Sequence, residues 1–300
     1  NPVINVYPAI RKGACVSGNA TAVVTWTPPT ATDNSGNQTL TSTHNSGEYF
    51  PLGNNTVTYT STDSAGNTKT CTFFVVVSDD ENPVINVCPS DQNVTTDSGN
   101  ATAVVTWTPP TATDNSGYQT LTLTHNSGEY FPLGKHTVTY TSTDSAGNTG
   151  TCTFFVVVSD DENPVINVCP SDQNVTTDSG NATAVVTWML PAATDNSGSQ
   201  MLTSTDNPED SFPIGNNTVT YTSTDAAGYT DNCTFYIVVN DNENPVIGGC
   251  PSDQSVNTDS GNATAVVTWM LPPATDNSGS QMLTSTDNSG DSFPIGNNTV

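Results

Sequence analysis

Hydrophobic residues alternate with threonine along much of the chain. From Ala101 to Trp107, the residues Ala103, Val105 and Trp107 fall on one face and Thr102 and Thr106 on the other. That is the period of two expected of a half-buried strand. Thr137 to Ser142 alternates the same way, with Val138 and Tyr140 inward, and Cys152 to Val158 is a mostly apolar run that reads as a final strand. Turn-forming clusters separate these runs: Thr96 to Asn100, Pro109 to Gly117, Asn126 to Gly128 and Asp144 to Gly147. The pattern predicts about seven short strands and a core tryptophan on the second, the outline of an immunoglobulin-like sandwich.

The same pattern returns every 81 residues. Asn1-Pro2-Val3-Ile4 recurs at Asn82, Asn163 and Asn244, and the 26 residues from Asn82 to Trp107 are identical to those from Asn163 to Trp188. Trp26, Trp107, Trp188 and Trp269 hold one place in each repeat. The chain therefore divides into repeats 1–81, 82–162, 163–243 and 244–300. The last stops at the equivalent of Val138, so the chain reads as a window on a longer array. The expected fold is all-β: tandem immunoglobulin-like sandwiches in a linear rod, each touching mainly its neighbours.

A repeat this small buries only ~60–65% of its unfolded surface and needs a staple. Cys88 and Cys152 are 64 residues apart, as are Cys169 and Cys233, and each pair spans one repeat. Cys250 has no equivalent partner before Val300. In the first repeat Tyr7 takes the first cysteine position and Cys15 follows, so Cys15 is expected to pair with Cys71. Regularly spaced cysteine pairs are the usage of an extracellular protein.

These elements together resemble the hyalin repeat (HYR) family. The resemblance is carried by Asn82-Pro-Val-Ile-Asn-Val-Cys-Pro89, Val104-Val-Thr-Trp-Thr-Pro-Pro-Thr-Ala-Thr-Asp-Asn-Ser-Gly117, Phe131-Pro-Leu-Gly134, Val138-Thr-Tyr-Thr-Ser-Thr-Asp-Ser-Ala-Gly-Asn148 and Thr151-Cys-Thr-Phe154. It spans the whole chain four times over and departs from the pattern only between Tyr7 and Cys15. It implies an extracellular module of immunoglobulin-like fold with a role in adhesion or matrix architecture, and it does not imply an enzyme.

Charge sharpens this picture. Twenty-nine acids face four bases, for a net charge of −25. Such a surface repels phosphate backbones and anionic membranes, so nucleic acid is not an expected partner. No apolar run reaches the ~18 residues of a membrane span. Catalytic signals are weak: His44, His125 and His136 do not recur in the last two repeats, and no Cys-x-x-Cys or His-Glu-x-x-His is present.

The acids gather between repeats, as Asp79-Asp80-Glu81 and Asp160-Asp161-Glu162. In a sandwich, two loops of the following repeat lie at the pole where the chain enters. They carry Asp114 and Asp144 in one case, and Asp195 and Asp225 in the next. Calcium, which takes 6–8 oxygen ligands, suits such a junction. The competing reading is that each Asp caps its own turn by accepting from nearby N–H groups.

Asparagine carries a modification signal, with eleven Asn-x-Ser/Thr sequons. Asn19, Asn100, Asn181 and Asn262 are one site repeated in a Gly-Asn-Ala-Thr turn, while Asn37, Asn54, Asn93, Asn174, Asn216, Asn232 and Asn297 are scattered. N-linked glycans are therefore expected. Other expected partners are further copies of the chain, or matrix and surface proteins. Three functions remain open at this point: a filament, stalk or surface layer; an adhesive array binding protein or glycan through its loops; and a spacer of a larger extracellular protein.

Overall fold

The computed structural model describes residues 1–5, 8–279 and 281–300, so Tyr7 lies outside the described residues. The chain forms two compact units, Asn1–Asp160 and Asp161–Val300. Among the described residues, no helix is long and apolar enough to cross a membrane.

Among the described residues, the first repeat has eight strands: β1 (Val3–Asn5), β2 (Arg11–Ala14), β3 (Thr21–Val23), β4 (Thr30–Thr32), β5 (Gln38–Ser42), β6 (Tyr49–Pro51), β7 (Gly53–Asp63) and β8 (Thr68–Ser78). Four of them form a sheet in the order β2-β8-β7-β5, in which β2 runs parallel to β8 and the other neighbours are antiparallel. The pairs β3–β6 and β1–β4 cover its inner face. Alternation explains the long strands: Val57 and Tyr59 of β7 and Phe73, Val75 and Val77 of β8 are buried, while Thr58 of β7 and Thr72, Phe74 and Val76 of β8 take the other face.

The second repeat copies this layout. Gln92–Thr95, Thr149–Ser159, Gly134–Asp144 and Gln119–Leu123 make the large sheet, covered by Thr102–Val105 paired with Glu129–Pro132 and by Val84–Asn86 paired with Thr111–Thr113. In the unit Asp161–Val300, the third repeat forms the same three sheets. Among the described residues, the fourth forms the pairs Val246–Ile247 with Ala274–Thr275 and Thr264–Val266 with Ser292–Pro294.

The sequence predicted about seven strands; among the described residues the first three repeats each have eight. The extra element is the short strand that pairs with the entering segment. The tryptophan lies two residues past the third strand of the second repeat rather than on the second. It is core nonetheless: Trp107 is buried, its indole Nε1–H donates to Tyr140 Oη at 2.8 Å, and it packs edge-on to Phe154. Trp26 makes the same bond to Tyr59.

Disulfides join Cys88 to Cys152 and Cys169 to Cys233, with Cα atoms 5.8 and 5.6 Å apart. The expected pair Cys15–Cys71 is not formed, and both thiols are free. Strand register explains the difference. Gln92 pairs with Val156, so Cys88, four residues before Gln92, comes alongside Cys152, four before Val156. In the first repeat Ala14 pairs with Ser78, which carries Cys15 beyond the end of β8. Cys71 lies seven residues back along that strand, about 23 Å away at ~3.3 Å per residue, whereas a disulfide needs Cα atoms within about 7 Å. Both groups stay protonated thiols. Burial pushes Cys71 up, and at Cys15 burial is reinforced by the carboxylates of Asp79, Asp80, Glu81 and Asp114.

Candidate inter-repeat cation site

Within the unit Asn1–Asp160, the chain leaves β8 and enters the second repeat through Asp79-Asp80-Glu81-Asn82-Pro83. Two loops of that repeat meet it. One follows Thr111–Thr113 and carries Asp114 and Asn115; the other joins the two eleven-residue strands and carries Asp144 and Asn148. Carboxylate oxygens of Asp79, Asp114 and Asp144 lie within 4.8 Å of one another.

Turn capping builds this cluster. Asp114 Oδ2 accepts from the Ser116 N–H at 2.8 Å and from the Ser116 hydroxyl. Asp144 Oδ1 accepts from the Asn148 N–H at 2.8 Å, and its Oδ2 from the Asn148 side-chain amide at 2.8 Å. Asp79 Oδ1 accepts from the Glu81 N–H at 3.2 Å and from Asn115 Nδ2 at 3.1 Å. Asp79 and Asp114 thus each spend one oxygen on local structure, and Asp144 spends both. Asp79 Oδ2, Asp114 Oδ1 and Asn115 Oδ1 are buried and have no hydrogen-bond partner. Buried acceptors of this kind are costly unless a donor or a cation meets them. At Asp144, burial opposes ionisation, but the bonds from Asn148, Gly147 and Ala146 outweigh it and hold the carboxyl below the usual carboxylate range.

Asp33 and Asp63 hold the equivalent places at the pole of the first repeat. Hydrogen bonds from Ser35 keep the Asp33 carboxyl below its ordinary range.

Not every linker acid joins the cluster. Asp80 is exposed and lies outside it. Glu81 instead accepts the Gly18 N–H on both carboxylate oxygens, at 3.1 and 3.0 Å, tying the linker to a turn of the first repeat. Sequence reasoning passed over Asn115 and Asn148, because amides in such loops read only as turn formers. Their fixed offsets, one and four residues after Asp114 and Asp144, were the available signal.

In the unit Asp161–Val300, Asp195 and Asp225 present the same edge. Asp195 Oδ2 accepts from the Ser197 N–H, and Asp225 Oδ1 from the N–H groups of Gly228 and Tyr229. Asp195 Oδ1 and Asp225 Oδ2 are buried without a hydrogen-bond partner. Asp160 closes the first unit, and Asp161 and Glu162 open the second. All eleven sequon asparagines are exposed, and Asn19, Asn100, Asn181 and Asn262 lie in surface turns.

Comparison with known proteins agrees with this architecture. The HYR domain family matches residues 1–77, 78–158, 159–239 and 240–300. The protein Hyalin of Strongylocentrotus purpuratus is 40% identical over 294 residues, covering 94% of this chain and 24% of that protein. Hyalin of Lytechinus variegatus is 37% identical, covering 98% of this chain and 57% of that protein. The chain thus spans about a quarter and somewhat over half of these two relatives. Among solved structures, the immunoglobulin domains 1–5 of Sidekick-1 cover 80% of this chain and 59% of their own at 14% identity, with a TM-score of 0.32, too loose a likeness to add to the family match. The chain is a tandem array of HYR domains and belongs to that family.

Proposed function

We propose that this chain is part of an extracellular structural protein, in which stapled β-sandwich repeats are joined end to end and calcium stiffens the joints. The repeats are taken as 1–81, 82–162, 163–243 and 244–300, with the linker acids belonging to the joints. The observation that carries this reading is the junction at Asp79. Three carboxylates from three separate chain segments converge there, with buried oxygens left over after every turn is capped. Asp79, Asp114, Asp144 and Asn115 would hold the ion, a hard-oxygen donor set of the kind calcium prefers. The ion would supply the positive charge that lets these carboxylates sit together.

Glycans at the repeated turn fit the same reading. Asn19, Asn100, Asn181 and Asn262 share one local sequence and one exposed setting, so they should be modified together. Glycopeptide mass spectrometry of the secreted protein is expected to find all four occupied to a similar degree. Occupancy of one with the others bare would overturn the shared-turn argument.

A second reading, an adhesive array, is favoured by one feature of the first two repeats. Tyr49 and Tyr130, 70% and 72% exposed, lie opposite Val23 and Val104 on the outer pair of strands. Ser211 replaces the tyrosine in the third repeat. Electron microscopy of the native material in millimolar calcium separates the two readings. The structural reading predicts straight segments or periodic fibres that slacken on chelation. Flexible isolated chains with and without calcium would contradict it and favour the adhesive one.

A further inference from the structure

The joint contains a second contact that the acids alone do not explain. Asn115 Nδ2, beside Asp79, also donates to the backbone carbonyl of Asn19 at 3.3 Å, across the boundary between the first and second repeats. The other end of the same amide, Oδ1, is buried with no hydrogen-bond partner. The unit Asp161–Val300 repeats the arrangement independently. Asn277 Nδ2 donates to the Asn181 carbonyl at 2.9 Å and to Thr177 Oγ1 at 3.2 Å, and Asn277 Oδ1 is likewise buried and unpartnered. In both places the neighbouring glycine, Gly18 or Gly180, donates its N–H to the linker glutamate, Glu81 or Glu243.

We infer that Asn115 is a positioning residue that couples the ion to the joint, with Asn277 showing the same grip on a preceding turn. The amide oxygen faces the cation while the amide nitrogen grips the turn of the preceding repeat. A primary amide is suited to this, because it carries an acceptor and two donors on one rigid plane. With the oxygen held by a cation, the plane cannot rotate, and the N–H groups stay aimed at the Asn19 carbonyl. A carboxylate at the same position would keep the ligand oxygen but lose the donor. The inference rests on the ion-binding reading above and adds to it the route by which binding reaches the neighbouring repeat.

The test uses the complete chain and the variant Asn115→Asp, with calcium chloride as the probe. Calcium binding is followed by calorimetry, and joint opening by an endoproteinase that cuts after glutamate, at Glu81 and Glu243. Asn115→Asp keeps the ligand oxygen and adds a negative charge, so it is expected to bind calcium at least as tightly as the parent. Calcium-dependent protection at Glu81 should nevertheless fall by about three- to tenfold, the loss expected of one hydrogen bond. Protection at Glu243 should not change, since Asn277 is intact. Full protection at Glu81 in Asn115→Asp, with calcium bound, would overturn the coupling while leaving the ion site standing. A parent chain that binds no calcium would overturn the ion site and the coupling together.

Discussion

Reduction should unfold the second and third repeats and spare the first. Each disulfide closes a loop of 64 residues, and in the chain-entropy account such a loop stabilises by about 4 kcal/mol. That is a large share of the 5–15 kcal/mol typical of a folded domain, and these repeats are small. The first repeat has no bond to lose. Its Cys71 thiol is buried in the same core position as Cys152 and Cys233, packed without a partner sulfur. Hydrogen exchange resolved by repeat, with and without dithiothreitol, reads this directly. Protection should collapse in Gly134–Asp144 and Gly215–Asp225 and persist in Gly53–Asp63. The variant Cys88→Ala should reproduce the effect in the second repeat alone, since Cys88 is exposed and leaves no core cavity. Equal loss of protection in the first repeat would mean that Cys15 and Cys71 are joined after all.

Much of this architecture was legible in the residues, and the misses are instructive. Alternation placed Val105, Val138 and Tyr140 in the core, because a period of two admits only one buried face. The poles of the sandwich placed Asp114 and Asp144 near the linker. Register was not legible. Whether Cys15 could reach Cys71 depended on β2 aligning in parallel with the far end of β8, a long-range pairing that spacing does not encode. Within the linker, three consecutive acids could not all face one way. Only Asp79 turns inward to the cluster, while Glu81 takes the Gly18 N–H. The capping and cation readings of the aspartates were posed as alternatives, yet Asp79 and Asp114 each have two oxygens, one capping and one left over.

Neutralising those leftover oxygens should disable one joint and nothing else. In the double variant Asp79→Asn with Asp114→Asn, the amide oxygens can still accept the turn N–H groups of Glu81 and Ser116. The caps survive while two negative charges leave. Calcium affinity follows the number of charged ligands, so binding at this joint should weaken by at least about tenfold, or ~1.4 kcal/mol. The cores should keep their stability, because the variant residues lie outside the buried clusters. Cleavage after Glu81 should then proceed in calcium as fast as it does in chelator. A fall in the unfolding temperature of the whole chain would instead assign these aspartates a purely structural role.

Calorimetric titration of the 300-residue chain reads calcium occupancy of the inter-repeat acids. Saturable heat is expected, with a dissociation constant around 10⁻⁴–10⁻³ M, the range in which extracellular modules work, and a reduced stoichiometry in the Asp79→Asn, Asp114→Asn variant. A flat trace through millimolar calcium would overturn the ion site and leave these aspartates as turn caps alone.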